Sequence, residues 1–414
     1  MCTSAAVVNG IHPGPLIVAQ KGDNFDVLVT NNLTDPSMTL DTSIHWHGIF
    51  QRGTTWADGP EGFSPNGQAG SFWYHSHFGQ LSIDTQLCHF AHSWLASGNQ
   101  YCDGVRGPIV IYDENDPHRA LYDEDNEDTV ITADGESTVP TDPVDGIQIF
   151  AGQRYSFILH ANQNMSDNYW IRANPNIGPS DQFQGGVNSA ILRYVGGPEV
   201  DPTTPLPPSL EFLRESDLHP FANPAAPGLP QIDGSDFNQT FEVNFQGGRF
   251  LMNNASWQAP SAPILLQILT GSNASELMPQ ASIVHLRRNQ VVQLNITSIS
   301  SVATPHPFHL HGHAFSVIKS ADSDTFNFEN PVRRDVVSIG GVGQFAVIRF
   351  VTDNPGPWIF HCHIEPHLSV GLAVVFVEDF ENILPSNPIP QSWRDLCDAF
   401  ERSRPTLPAS LPQA

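Results

Sequence analysis

Ten of the 18 histidines in this chain crowd into four short motifs, two near each end of the sequence. They are HWHG (His45, His47), HSH (His75, His77), HPFHLHGH (His306, His309, His311) and HCHIEPH (His361, His363, His367). Residues i and i+2 of a β-strand share a face, so each His-x-His pair aims two imidazoles in one direction. A single such pair is an ordinary strand feature. Four in one chain, one of them wrapped around Cys362, form a metal-binding pattern that requires the two chain ends to meet. The other histidines (His12, His89, His92, His118, His160, His219, His285 and His313) read as structural or solvated.

The donor set narrows the metal. A zinc site would be richer in cysteine, or would keep one position open to water. Eight imidazoles in the His-x-His pairs, with no carboxylate among them, favour several soft-to-borderline ions. One thiolate with two further imidazoles, here Cys362, His306 and His367, is the ligand set of a blue copper site. Such a site usually carries a weak axial Met. Leu372 stands ten residues after Cys362 and cannot ligate, and a missing axial donor raises the reduction potential.

The rest of the chain says what frame holds these motifs. Its 414 residues suffice for two or three domains. Gly and Pro make up about one residue in six, which suits short strands between turns. A net charge of −25 argues against nucleic acid or an anionic membrane as partner. No apolar run approaches the roughly 20 residues that span a bilayer. Six N-x-[ST] sequons, at Asn32, Asn164, Asn238, Asn254, Asn273 and Asn295, in an acidic, Lys-poor chain predict a secreted glycoprotein. The opening MCTSAAVVNG lacks the basic and long apolar regions of a signal peptide.

Residues 1–116 are expected to form a β-domain with strands at FDVLVT (25–30), SFWYH (71–75) and PIVIY (108–112). Segment 79–99 breaks this pattern. Ile83, Leu87, Phe90 and Trp94 recur at helical spacing, as in a helical insert or an intron translated in frame. Residues 117–200 read as a truncated β-domain: an acidic stretch with one strand, TVIT (129–132), then QIF, RYSFILHA and NYWIRA. Residues 201–235 read as a Pro-rich surface connection. Residues 236–414 are strand-rich, with TFEVNF, PILLQIL, VVQLNIT, FSVIK, AVIRFV and GLAVVFVED, and a helix is expected at about 391–401.

The four motifs, in this order, resemble the copper signatures of multicopper oxidases. WADGP (56–60), FWYHSH, QYCDGVRGP, NPGPWIFHCHIEPHL and SWRDLC resemble fungal laccases in particular. The resemblance implies an all-β fold of tandem cupredoxin-like Greek-key β-sandwiches and four copper ions. It implies a type 1 copper on His306, Cys362 and His367, with Leu372 in the axial place. A type 2 copper would sit on His45 and His309. A type 3 pair would sit on His47, His75, His77, His311, His361 and His363. It further implies a monomeric enzyme that oxidises phenols or aromatic amines one electron at a time and passes four electrons to O₂. Asp58, in WADGP, matches a family acid near the cluster and is the candidate proton relay; its other reading is a turn-forming Asp before Gly. Glu365 could tune the type 1 region or be a solvated acid, and Trp257 and the NPNIG loop around Ile177 could line the substrate entrance, though core packing is the favoured reading for each. Two alternatives remain open: an inactive or mis-spliced copper-binding relative, and a ferroxidase, which needs acids beside His306 and His367, where the sequence offers Glu365.

The chain also departs from that family. The first half of the second domain, with an acidic residue that holds the phenol, has no counterpart between about 133 and 146. Cys102 and Cys397 lack their implied partners, and Cys88 lies in the insert. Two expectations follow. Damage to the middle domain should shift the copper domains relative to each other, and about 1 Å matters in a preorganised site. HSH should be strained or displaced, because the insert begins just after it.

Overall fold

In a computed structural model, the described residues are 5–35, 40, 42–59, 67–77, 100–101, 103–121, 129–174, 189–260, 262–300, 302, 304–391 and 393–395. The 79–99 segment, Ile177, His89, His92, Cys2, Cys88, Cys102, Cys397 and most of the expected terminal helix lie outside them.

The first part of the chain contributes β1 (Ile17–Gln20), β2 (Ile44–His47), β3 (Gly70–Ser76) and β4 (Arg106–Tyr112), in the sheet order β1-β4-β3-β2. Inward side chains of these strands, among them Trp46, Phe72, Tyr74, Ile109 and Ile111, form one apolar cluster. Residues 25–30 form no strand. β1 occupies the outer edge of β4, and the described residues include no further strand for them to pair with. Phe25 and Val27 still pack on the cluster.

The middle part is small. β5 (Thr129–Ala133), β6 (Glu136–Ser137) and β7 (Tyr155–Ile158) make a three-stranded sheet in the order β6-β5-β7. β8 (Asn168–Arg172) and β9 (Ser189–Arg193) make a separate antiparallel pair.

The last part is a complete sandwich. It begins with β10 (Phe237–Gln246), β11 (Arg249–Met252), β12 (Ile283–Leu286), β13 (Val291–Ser298) and β14 (Pro307–Leu310). β15 (Phe315–Lys319), β16 (Arg333–Arg334), β17 (Val336–Ser338), β18 (Phe345–Val351), β19 (Gly356–Cys362) and β20 (Ala373–Glu378) follow. One sheet runs β11-β10-β13-β18-β15-β16 and the other β12-β20-β19-β14-β17. Their facing side chains, including Phe308, Phe315, Ile348, Trp358, Phe360 and Phe376, fill a common core. β19 and β20 are buried at every position, which is why both read as nearly continuous apolar runs.

Two expectations are corrected here. PILLQIL is a helix (Ile264–Leu269) rather than a strand. Ile264, Leu265 and Ile268 lie on its buried side, and a short apolar run without alternation does not separate the two states. The Pro-rich stretch 201–235 is more than a surface strap. Leu213 and Leu218 enter the main core, and the buried Arg349 guanidinium donates to the carbonyls of Pro227, Leu229 and Gln231.

Candidate metal centre

Sheet register brings the motifs together. On the first sheet His45 pairs with His75 across β2 and β3. On the last sandwich His309 pairs with His361, and Phe308 with Cys362, across β14 and β19. The two sheets face each other so that rings from opposite chain ends stack. His45 lies on His311, with centroids 3.9 Å apart. His47 lies on His309, with centroids 3.8 Å apart. His77 approaches His311 and His361 at 5.1 and 5.2 Å, and His75 approaches His363 at 5.3 Å.

HSH is therefore not displaced. β3 is hydrogen-bonded on both edges, to β2 and to β4, and this fixes His75 whatever follows it. The copper domains are likewise not pulled apart by the short middle part, since all eight rings of the four His-x-His pairs converge in one buried nest.

The ring nitrogens divide by side. On the outward side, His309 Nδ1–H donates to the Asp335 carbonyl (2.9 Å), His361 Nδ1–H to the Cys362 carbonyl (3.0 Å) and His75 Nδ1–H to the Ser76 carbonyl (3.0 Å). His311 Nδ1–H donates to Asp58 Oδ2 at 2.7 Å, and His45 Nδ1 lies 3.0 Å from Asp58 Oδ1. His47 Nε2–H donates to Asp335 Oδ1 at 3.2 Å. On the inward side, Nε2 of His45, His75, His77 and His309 is buried with no hydrogen-bond partner. An orphaned buried nitrogen is costly unless something else takes its lone pair. Outer nitrogens anchored and inner nitrogens bare is the arrangement of metal-binding imidazoles. Ligand atoms of His77, His311 and His361 lie within 4.8 Å of one another, as do those of His45, His309 and His311.

A second nest lies at the other side of β19. Cys362 Sγ is 3.7 Å from His306 Nδ1 and 3.6 Å from His367 Nδ1, and those two nitrogens are 3.1 Å apart. His367 sits on a short helix (Glu365–Ser369) that turns it back beside Cys362. Leu372 is buried in the same cluster as Cys362, and its carbonyl accepts the Cys362 N–H at 3.1 Å. Phe250 packs on both imidazoles, with centroids 5.3 and 4.6 Å away.

Burial sets the charge state. It lowers His47, His75, His77, His309, His311 and His361 well below the usual histidine value, and neighbouring imidazoles push the same way. It lowers His363 to about 3, and His306 and His367 to about 4. These rings are neutral at pH 7 and so have lone pairs to give. Burial pushes the Cys362 thiol up to about 12, so a metal must displace its proton.

Asp58 closes a turn at Thr55–Ala57 and caps the His45–His311 stack. Asp335 does the same for the His47–His309 stack. The sequence reading reached the first and missed the second. Its signal was there: the charged triplet Arg333–Asp335 interrupts the otherwise apolar PVRRDVVSIG, where charge is expensive to bury unless paired. Trp257 is core, packed with Ile264 and Leu265. His313 is structural, with Nε2 at 2.9 Å from the buried Glu378.

Comparison with known proteins agrees with this geometry. Multicopper oxidase family models match residues 1–116, 124–197 and 256–382. A laccase of Trametes hirsuta is 42% identical, with 96% of this chain and 90% of that protein aligned. A laccase of Pycnoporus cinnabarinus is 42% identical, with 97% and 91% aligned. Among solved structures, Fet3p, a multicopper oxidase that functions in iron import, superposes with a TM-score of 0.75 at 25% identity, over 95% of this chain and 90% of that one. The laccase from Botrytis aclada superposes with a TM-score of 0.70 at 26% identity, over 96% and 88%. With cupredoxin sandwiches, converging imidazoles and this likeness together, the chain belongs to the multicopper oxidases, among the fungal laccases, and is a copper-dependent oxidoreductase.

Proposed function

We propose that the chain oxidises small phenols or aromatic amines at the Cys362 nest and delivers the electrons to O₂ at the histidine cluster. The observation that carries this is the set of bare inward nitrogens on both faces of the cluster. In this reading His306, Cys362 and His367 would hold one copper, with the non-ligating Leu372 buried in the same cluster as Cys362. His45 and His309 hold a second. His47, His75 and His363 with His77, His311 and His361 hold a pair. Bound copper supplies one-electron chemistry toward the phenol and the four-electron capacity needed to reduce O₂ to water. The chain's own part is positional. Cys362 is bonded in sequence between His361 and His363, so a short covalent path joins the two nests. Asp58, hydrogen-bonded to His311 at the cluster wall, is placed to hold and pass a proton toward it. Phe250, buried in the core, packs against His306 and His367 and forms an apolar wall of that nest.

We also propose that residues 1–116 and 236–414 are the two copper domains, joined through a truncated second domain, 117–200, and a connection at 201–235. We further propose that the protein acts as a monomer and is secreted; no helix among the described residues is long and apolar enough to cross a membrane. Copper analysis together with oxygen uptake tests the central reading. Four coppers per chain and one O₂ consumed per four phenol equivalents are expected. Fewer than three coppers and no phenol-dependent uptake would refute it.

A further inference from the structure

The short middle part leaves one loop, Ala151-Gly-Gln-Arg154, against the histidine cluster. Arg154 is buried there, and each of its N–H groups is used. Nε donates to the Ser71 carbonyl of β3 at 3.2 Å. Nη1 donates to the Gly152 carbonyl at 3.1 Å and to Asp335 Oδ1 at 2.5 Å. Nη2 donates to the Asp134 carbonyl at 2.8 Å and to Asp335 Oδ2 at 2.7 Å. One guanidinium thus grips the first, middle and last parts of the chain, and only a planar five-donor fork can do so. Its carboxylate partner, Asp335, accepts from His47 through Oδ1 and from His309 through its backbone carbonyl, and so orients both rings.

The surrounding residues are fitted to this fork. Gly48 of HWHG has φ +89°, and a Cβ there would collide with Arg154 Nη2 and come within 3.0 Å of Asp335 Oδ2. Gly152 has φ +89°, and a Cβ there would meet His363 Cδ2 at 2.9 Å. Gln153 Nε2 donates to the Val336 carbonyl at 3.2 Å. Asp134, in the left-handed region at φ 50°, holds the other side. Its carboxylate accepts from Arg334 Nε and Nη2, from the Arg154 backbone N–H and from the Val336 N–H.

We propose that Arg154 is a positioning residue for the O₂-reducing cluster: by clamping Asp335 against β3 it sets the orientation of His47 and His309 and makes the middle-domain loop part of that centre. The proposal rests on the assignment of those histidines as copper ligands. It accounts for an observation the sequence did not predict, namely that a shortened middle domain leaves the two copper domains in register. The loop and Asp134 are among the parts that were kept, and they contact the residues around the histidine cluster.

The test uses the full chain as wild type, Arg154→Met and Arg154→Lys, each titrated with copper. Copper per chain, the visible band of the thiolate-bound copper and the electron paramagnetic resonance signal of the type 2 copper are followed separately. Loss of an outer partner of a metal ligand typically lowers metal affinity roughly 10–100-fold. Arg154→Met should lose type 2 copper by that factor while the visible band is retained, and Arg154→Lys should restore only part of the loss. A merely structural role would weaken both nests together. Equal loss of both, or an unchanged type 2 signal, would overturn the proposal. If Arg154→Met does not fold, Arg154→Lys decides on the same criterion. A wild type that shows no type 2 signal would instead refute the underlying copper assignment, so the two failures are distinguishable.

Discussion

Removing copper should make this protein sensitive to mild acid, and the size of the effect follows from the histidine nest. Seven buried imidazoles (His47, His75, His77, His309, His311, His361 and His363) have their proton affinity pushed down by burial. In the unfolded chain each titrates near the ordinary value of about 6.5. Their lowered folded values mean that the unfolded state takes up protons first. The stability they allow is therefore full above about pH 6.5 and falls as pH drops below it. Between pH 7 and 6 each such group costs about 0.7 kcal/mol, so the seven together cost about 5 kcal/mol. By pH 5.5 the loss is about 9 kcal/mol, which is comparable with the whole stability of a typical domain, about 5–15 kcal/mol. In the copper-loaded protein a proton must first displace metal, so the loss should be shifted to lower pH. Urea unfolding of copper-free and copper-loaded protein at pH 7, 6 and 5.5 measures this directly. A copper-free protein whose unfolding free energy stays within about 1 kcal/mol over that range would show that the nest accepts protons while folded, and the reasoning would fail.

Other expectations are narrower. Asp58→Asn leaves one acceptor oxygen where His45 Nδ1 and His311 Nδ1 each face a carboxylate oxygen, and removes the group that can carry a proton; it should lower kcat roughly ten-fold or more with little change in Tm; an unchanged kcat would remove Asp58 from the mechanism. Cys362 holds its thiol proton up to about 12 and sits between His306 and His367, so loading that nest should release one proton, which a pH-stat would count. Leu372→Met supplies the missing thioether donor and should lower the type 1 reduction potential, read by redox titration of the visible band. Gly312 has φ +73° and faces Trp358, so Gly312→Ala should destabilise by about 1–3 kcal/mol for the strained backbone, with the steric overlap adding to it; calorimetry would show it.

The histidine motifs were legible because strand geometry alone makes i and i+2 neighbours, and their order needed only that the chain ends meet. The frame was legible in the last sandwich, where AVIRFV and GLAVVFVED are mostly apolar runs rich in β-branched residues. PILLQIL was not, because so short a run carries no clear period and the deciding fact is which side packs on the Trp257 cluster. Arg154 and Asp134 were invisible for a different reason. Each is an ordinary charged residue in sequence, and what matters is the partner, 181 residues away for Arg154 and Asp335 and 200 for Asp134 and Arg334. The expected displacement of HSH failed because pairing on both edges of β3 fixes His75 by itself.

The contact of His363 Nε2 with His47 Nδ1, at 3.1 Å, joins residues 316 positions apart. A metal ion shared across such a contact works as a removable cross-link closing nearly the whole polypeptide into a ring, and closing a long ring deprives the unfolded chain of much conformational freedom. Neither end holds a full ligand set for the cluster, so the ion can be captured only after the ends have docked. Metal uptake then becomes the last event of assembly, and it locks a topology that was already complete.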